Sequence, residues 1–307
     1  MPLRFRAPWL IPLLLLPGAC AEHLEVDGHR AQARVEHQVA LGPRIPGTPG
    51  HAATLEWLAA ESKRLGGRVE RQSFTDSSLG APLRLHNLIA RFGPTGGRRI
   101  ALCAHWDTRP RSDQDPDPAR RSDPVPGAND GASGVAVLLE VAELMSRRAP
   151  RIGVDLVFLD GEDQGLESRA EQYCLGARAY AARFASSSPR DESRPAAAFV
   201  FDMVGDRDLA IYPEVQSAAR AANLVGVVLD AARATSARHF HARPRHWLID
   251  DHIPLLDGGI PAVDVIDFDY PAWHTHRDLP DRTSPESLAE VARVAAWIVY
   301  RSPLTRV

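Results

Sequence analysis

The chain has 307 residues, 44% of them hydrophobic and 24% charged, with a formal net charge of -3 at pH 7. That balance excludes disordered and fibrous classes and supplies enough apolar material for one large core. No tract of Lys or Arg stands out in the part expected to fold, so a nucleic-acid partner is excluded, because phosphate binding needs clustered positive charge.

Residues 1–21 read as a targeting segment. Arg4 and Arg6 form a basic start, and Trp9 to Leu16 is an apolar run broken by Pro12. The run falls short of the about 20 apolar residues that a bilayer span needs. Pro17-Gly18-Ala19-Cys20 resembles a bacterial lipobox, whose Cys is lipidated and becomes the new N-terminus, while Ala19-Cys20-Ala21 also fits ordinary cleavage between small residues. Either route predicts an exported protein, periplasmic or held at a membrane by lipid on Cys20, with residues 22–307 as one domain. Cys103 and Cys174 have no Cys-x-x-Cys partner spacing, and two buried free thiols are expected rather than a disulfide.

The elements follow in order. His29 to Ala40 and His51 to Leu65 read as helices, joined by residues 42–50, which are too rich in Gly and Pro to be helical. Val69 to Phe74 and Leu83 to Phe92 read as strands, and Ile100 to Ala104 as a short buried strand ending at His105. Arg109 to Pro126 is a polar loop in which Asp115, Asp117 and Asp123 look solvated. Gly131 to Arg148 is helical, with Val135, Leu138, Leu139, Ala142 and Met145 at helical spacing. Strands follow at Val154–Leu159, Ala196–Phe201 and Val263–Ile266, and Ser284 to Arg301 closes the chain as a helix. Strands alternating with helices predict a three-layer α/β/α fold around a mostly parallel sheet.

Such sheets bind ligands at the carboxyl ends of their strands. His105, the adjacent acids Glu162 and Asp163, and Asp202 each come within a few residues of the end of an apolar run. Asp130 in Gly-Ala-Asn-Asp-Gly and His274 in Trp-His-Thr-His complete the set. Singly, each has an ordinary role: Asp130 suits a helix cap, and His23, His29, His37, His51, His86, His239, His241 and His246 suit surface or hydrogen-bonded core positions. Together, carboxylates and imidazoles on one rim suit Zn²⁺, which takes N and O donors and leaves a coordination position for substrate. Of two adjacent acids, one can hold the metal while the other moves protons. Gly127 and Gly131 let the backbone turn tightly around Asp130.

From Arg30 onward the ordered pattern His105-x-Asp107, Asp130-Gly-x-Ser-Gly, Glu162-Asp163, Asp202, His274 resembles the zinc aminopeptidase (M28-type) clan, with its phosphorylase-like fold. Asp250-Asp251-His252-Ile253-Pro254 and Trp273-His274 resemble the glutaminyl cyclases within it. That resemblance implies a zinc-dependent catalytic domain acting on peptide N-termini. Asp130, Asp163 and His274 would hold Zn²⁺, with a second site at His105 and Asp202 sharing Asp130. Glu162, Asp202 and Asp250 would be catalytic, and Trp273 would line the substrate pocket. Two departures concern pocket shape: Gln164 to Ser168 lacks the aromatic residue that animal cyclases carry after the acid pair, and the His of the strand before the last loop is replaced near Asp264. The readings that remain are a one-zinc cyclase, which is favoured, a two-zinc aminopeptidase, and a non-catalytic binding protein, against which Glu162 speaks.

Overall fold

In the computed structural model, which describes residues 25–186, 188 and 191–305, the chain begins with helices α1 (Gly28–Ala40) and α2 (Pro49–Arg64). The targeting segment read at 1–21, with Cys20, lies outside those residues. Asp27 caps α1 by accepting from the Arg30 amide, and Thr48 caps α2 by accepting from the His51 amide. The Gly/Pro linker therefore ends earlier than its composition implied. Pro49 and Gly50 already sit in the first turn of α2, where proline's fixed φ suits a helix start.

Six strands follow: β1 (Arg68–Asp76), β2 (Leu83–Phe92), β3 (Arg99–His105), β4 (Gly153–Leu159), β5 (Ala198–Asp202) and β6 (Ala262–Ile266). Their order in the sheet is β1-β2-β4-β3-β5-β6. β4, β3, β5 and β6 run parallel, whereas β2 pairs antiparallel with both β1 and β4, so the sheet is mixed with a parallel centre. Every residue of those four parallel strands is buried, as expected of strands covered on both faces, whereas β1 at the edge is half-exposed throughout.

Alternate residues of one strand feed two cores. Leu102 and Ala104 of β3 pack with α1, α2, α3 (Ala132–Arg147) and α8 (Pro285–Arg301), while Ala101 and Cys103 pack with α4 (Leu175–Ala182) and Leu255 of α7 (His252–Asp257). This is the three-layer arrangement expected. Gly134 permits the close seat of α3 on the sheet, since a Cβ there would lie 2.1 Å from the Phe201 carbonyl oxygen. Besides α4 and α7, the helices α5 (Val215–Arg220) and α6 (Ala222–Ala234) were not legible beforehand. Cys103 and Cys174 are free and buried.

Candidate active site

The parallel strands deliver the chemistry to one rim. β3 ends at His105 and β5 at Asp202, Glu162 and Asp163 come just after β4, and His274 follows β6 by one loop. Asp130 arrives from the loop before α3. Gly127 (φ +70°) and Gly131 (φ +93°) hold the left-handed turns on either side of it. Asp130 is not a helix cap, because Gly131 takes that position and no side chain caps α3.

The loop bearing Asp130 is gripped from behind. The amides of Asn129 and Asp130 donate to the buried Asp278 carboxylate at 2.8 and 3.0 Å, and the Tyr270 hydroxyl donates to the same group at 2.8 Å. Buried Arg44 donates to the carbonyls of Pro126 and Gly127, both at 2.6 Å. Asp107 plays the matching part for the acid pair. It accepts from the amides of Glu162 (3.1 Å) and Asp163 (3.2 Å) and from the Gln164 side chain (2.8 Å).

Asp130 faces two imidazoles. Its Oδ2 lies 3.6 Å from His274 Nε2, which lies 3.3 Å from Asp163 Oδ1. Asp130 Oδ2 and Asp163 Oδ2 are buried without any hydrogen-bond partner. Donors on a tetrahedral zinc at about 2.1 Å stand about 3.4 Å apart, so this group fits the ion in spacing and in donor type. Outer partners are present too. Arg109 donates to Asp163 Oδ1 at 2.9 Å, and Asp113 Oδ1 lies 3.5 Å from His274 Nδ1, leaving Nε2 to face the site. Burial opposes a charge on His274, but Asp163, Asp113 and Asp130 outweigh it and push its pKa up to about 9.

The other half of Asp130 is drawn closer together. His105 Nε2 lies 3.1 Å from Asp130 Oδ1 and 3.0 Å from Asp202 Oδ1, with its hydrogen bond to Asp202. Both clusters were expected from the sequence as two metal groups sharing Asp130, and the structure brings both together.

Glu162 stands beside the open half. Burial, then the neighbouring Asp163 charge, push its carboxyl far above the ordinary range, with Asp250 and Asp251 adding to the effect. Burial likewise pushes Asp202 up to about 7, against the pull of His105. The Cys174 thiol lies 3.7 Å from Glu162 Oε1, and Asp250 approaches the same carboxylate. Behind Asp250, the Asp264 carboxylate is 3.6 Å from His252 Nδ1, and His252 Nε2 is 3.0 Å from Glu214. The position singled out as a departure thus belongs to a buried acid–imidazole chain.

A pocket of about 290 Å³ opens over Glu162, Asp202 and Asp250, walled by Trp273, Phe268 and Leu248. Trp273 stacks on His274 at 3.9 Å between ring centroids and meets Phe268 edge-on at 5.0 Å. Cys174, Met203 and His274 all have positive φ, a backbone strain that gathers at functional sites.

One loop differs from its sequence reading. Asp115 is fully buried and takes hydrogen bonds from the His276 amide and ring, so it is docked rather than solvated, whereas Asp117 is exposed and Asp123 partly so. Arg109, Asp113, Tyr173 and Asp278 have no signal in the sequence, and Cys174 reads there only as a buried thiol. Arg109 stands two residues after Asp107 and Asp278 four after His274, but only the folded contacts reveal their parts.

Acid–imidazole metal groups on the carboxyl rim of an α/β/α sheet, with a carboxylate base alongside, define a metal-dependent enzyme of aminopeptidase architecture. The family model for peptidase family M28 matches residues 87–299, and the chain belongs to that family. It is 26% identical over 277 residues to the glutaminyl-peptide cyclotransferase-like protein of Bos taurus, covering 82% of this chain and 70% of the relative. The crystal structure of Bacteroides thetaiotaomicron glutaminyl cyclase bound to N-acetylhistamine superposes with a TM-score of 0.84 at 32% identity, covering 90% of this chain and 98% of the other. A Zn-dependent exopeptidase from Parabacteroides distasonis gives a TM-score of 0.84 at 34% identity, covering 90% and 99%.

Proposed function

We propose that this protein is a zinc-dependent glutaminyl-peptide cyclotransferase, converting an N-terminal Gln of peptides to pyroglutamate with release of ammonia. The observation that carries the reading is the asymmetry at Asp130: its Oδ2, 3.6 Å from His274 Nε2, has no hydrogen-bond partner, while its Oδ1 lies 3.1 Å from His105 Nε2, which is hydrogen-bonded to Asp202. One ion held by Asp130, Asp163 and His274 is what a cyclase needs. The relatives and neighbours named for cyclase activity agree with it. The exported location, with lipid on Cys20, is part of the same proposal.

Zinc, when bound, supplies Lewis-acid polarisation of the substrate's side-chain carbonyl. Glu162 takes a proton from the α-amino nitrogen as that nitrogen attacks the side-chain amide carbon. The C–N bond of the side-chain amide breaks, and Glu162 returns the proton to the departing ammonia. Burial and the neighbouring Asp163 charge raise the Glu162 carboxyl's pKa, which strengthens it as a proton acceptor. Asp250, beside Glu162, orients it and the amine, with Asp202 held in place by His105. Trp273 walls the pocket against the substrate side chain.

The second reading is an aminopeptidase, favoured by the exopeptidase neighbour and by the complete set of residues for two metals. Matched peptides with N-terminal Gln or Leu separate the two. The proposal expects ammonia and a pyroglutamyl product from the first and no free Leu from the second. Release of Leu at comparable efficiency, without pyroglutamyl product, would overturn it.

A further inference from the structure

Cys174 takes no part in the metal group at Asp130, yet it is clamped against the base. Its amide donates to the Glu162 carbonyl at 3.0 Å, and the Leu175 amide donates to the Gly161 carbonyl at 3.1 Å. Its backbone is held in the left-handed region (φ +56°, ψ +35°), which is costly for a residue other than Gly. The result is a thiol set 3.7 Å from Glu162 Oε1, with a carboxylate oxygen of Asp250 within 4.8 Å of both.

Sulfur and two carboxylate oxygens are donors that a thiophilic divalent cation takes. A thiolate at about 2.3 Å and a carboxylate oxygen at about 2.1 Å on one tetrahedral ion stand about 3.6 Å apart. The separation of Cys174 from Glu162 is close to that. Asp250 is buried, and its Oδ2 has no hydrogen-bond partner. Glu162 and Asp250 both open on the 290 Å³ catalytic pocket, so an ion reaches the group by the route the substrate takes. Burial, then the Glu162 charge, push the Cys174 thiol well up, so without an ion it stays protonated and donates to Glu162.

We propose that Cys174, Glu162 and Asp250 form an inhibitory cation site, distinct from the catalytic one, that takes a thiophilic divalent ion such as Zn²⁺ in excess. Binding expels the thiol proton to solvent and forms bonds from the ion to sulfur and oxygen. It ties up the carboxylate that accepts the α-amino proton, so turnover stops while the catalytic ion stays in place. Because a proton must leave a buried thiol, this site fills only after the catalytic one. Hard cations such as Mg²⁺ avoid sulfur and should leave activity alone. The proposal rests on Glu162 as the base, which the cyclase and aminopeptidase readings share.

The test titrates Cd²⁺ into enzyme already carrying one zinc. Turnover of an N-terminal Gln peptide, the ultraviolet cadmium–thiolate absorption and retained zinc are followed on one sample. The absorption should rise in step with loss of activity, with zinc retained. In Cys174→Ser the absorption should vanish. The Cd²⁺ needed for half-inhibition, taken against that variant's own starting rate, should rise by more than the roughly 10–100-fold that losing an outer partner costs. Cys103→Ser, on the other buried thiol, should titrate as wild type does. Thermal melting checks that each variant folds. Inhibition without thiolate absorption, inhibition that tracks loss of zinc, or a folded Cys174→Ser as sensitive as wild type would overturn the site. Absorption that rises while activity holds would overturn the inhibition and count against Glu162 as the base. Failure of every Gln peptide to yield pyroglutamyl product before cadmium is added would overturn the cyclase reading alone, since the absorption and its loss in Cys174→Ser still decide the site.

Discussion

Asp130 presents its two oxygens to two unlike surroundings. Oδ1 meets His105 at 3.1 Å, where the ring nitrogen is hydrogen-bonded to Asp202. Oδ2 meets His274 at 3.6 Å and has no hydrogen bond. The residue types on the two sides are the same, a His and an Asp each, so composition does not separate them. Each imidazole has a carboxylate at its outer nitrogen, Asp113 at 3.5 Å from His274 Nδ1 and Asp107 at 3.6 Å from His105 Nδ1. What separates the sides is their spacing and the Arg109 contact to Asp163. Arg109 and Asp113 fix Asp163 and His274 from outside, turning their inner atoms toward a common point. On the proposed function, two residue sets alike in sequence divide into a metal site and a brace.

The largest expected effect comes from the base beside the open half. Glu162→Gln keeps shape and removes basicity, so kcat should fall by about 10²–10⁴-fold. Zinc content, read by elemental analysis, should stay near wild type. Loss of zinc with Glu162 would make it a ligand and dissolve the division of labour between Glu162 and Asp163.

Next come the two imidazoles, compared directly. His274→Ala should strip metal and activity together, with affinity falling by more than the roughly 10–100-fold that loss of an outer partner costs. His105→Gln keeps an N–H donor for Asp130 and Asp202 and should retain zinc. Equal loss of metal in both would show that the halves are not different in kind. Asp278→Ala then tests the grip on the shared ligand. It frees two buried amides and should weaken zinc affinity by about 10–100-fold without touching the metal. Smallest is Cys174→Ala, which removes a weak donor to Glu162. A hydrogen bond of about 0.5–1.5 kcal/mol predicts a roughly 2–10-fold fall in kcat, with Cys174→Ser recovering part of it and zinc content unmoved.

Much of the layout on which this contrast stands was legible in the sequence. The buried strands were readable because each is a short apolar run ending at an acid, a His or a turn, and β2 matched its expected bounds, Leu83–Phe92. Strand direction was not readable, since an apolar run carries no sign of whether its neighbour is parallel, so the antiparallel β2 appears only in the fold. α6 mixes Val and Gly226 into an apolar run, blurring helix and strand periods. α7 has six residues and carries Pro254. The candidate metal-holding residues were legible because Asp163 comes just after a buried strand and Asp130 and His274 stand in the short motifs Gly-Ala-Asn-Asp-Gly and Trp-His-Thr-His. Their supports were not, because Arg109 to Asp163 and Asp278 to Asp130 are contacts across the fold with no local spacing to betray them. Asp115 was read as solvated for the same reason: its partner His276 is 161 residues away.

The most direct test of the contrast is a zinc titration of the metal-stripped enzyme, with ion content and pyroglutamyl product followed on the same sample. One zinc per chain should restore full activity, with no further gain on adding a second equivalent. Activity that appears only as a second tightly bound zinc enters would place an ion in the His105 half as well, and the protein would then be a two-metal enzyme.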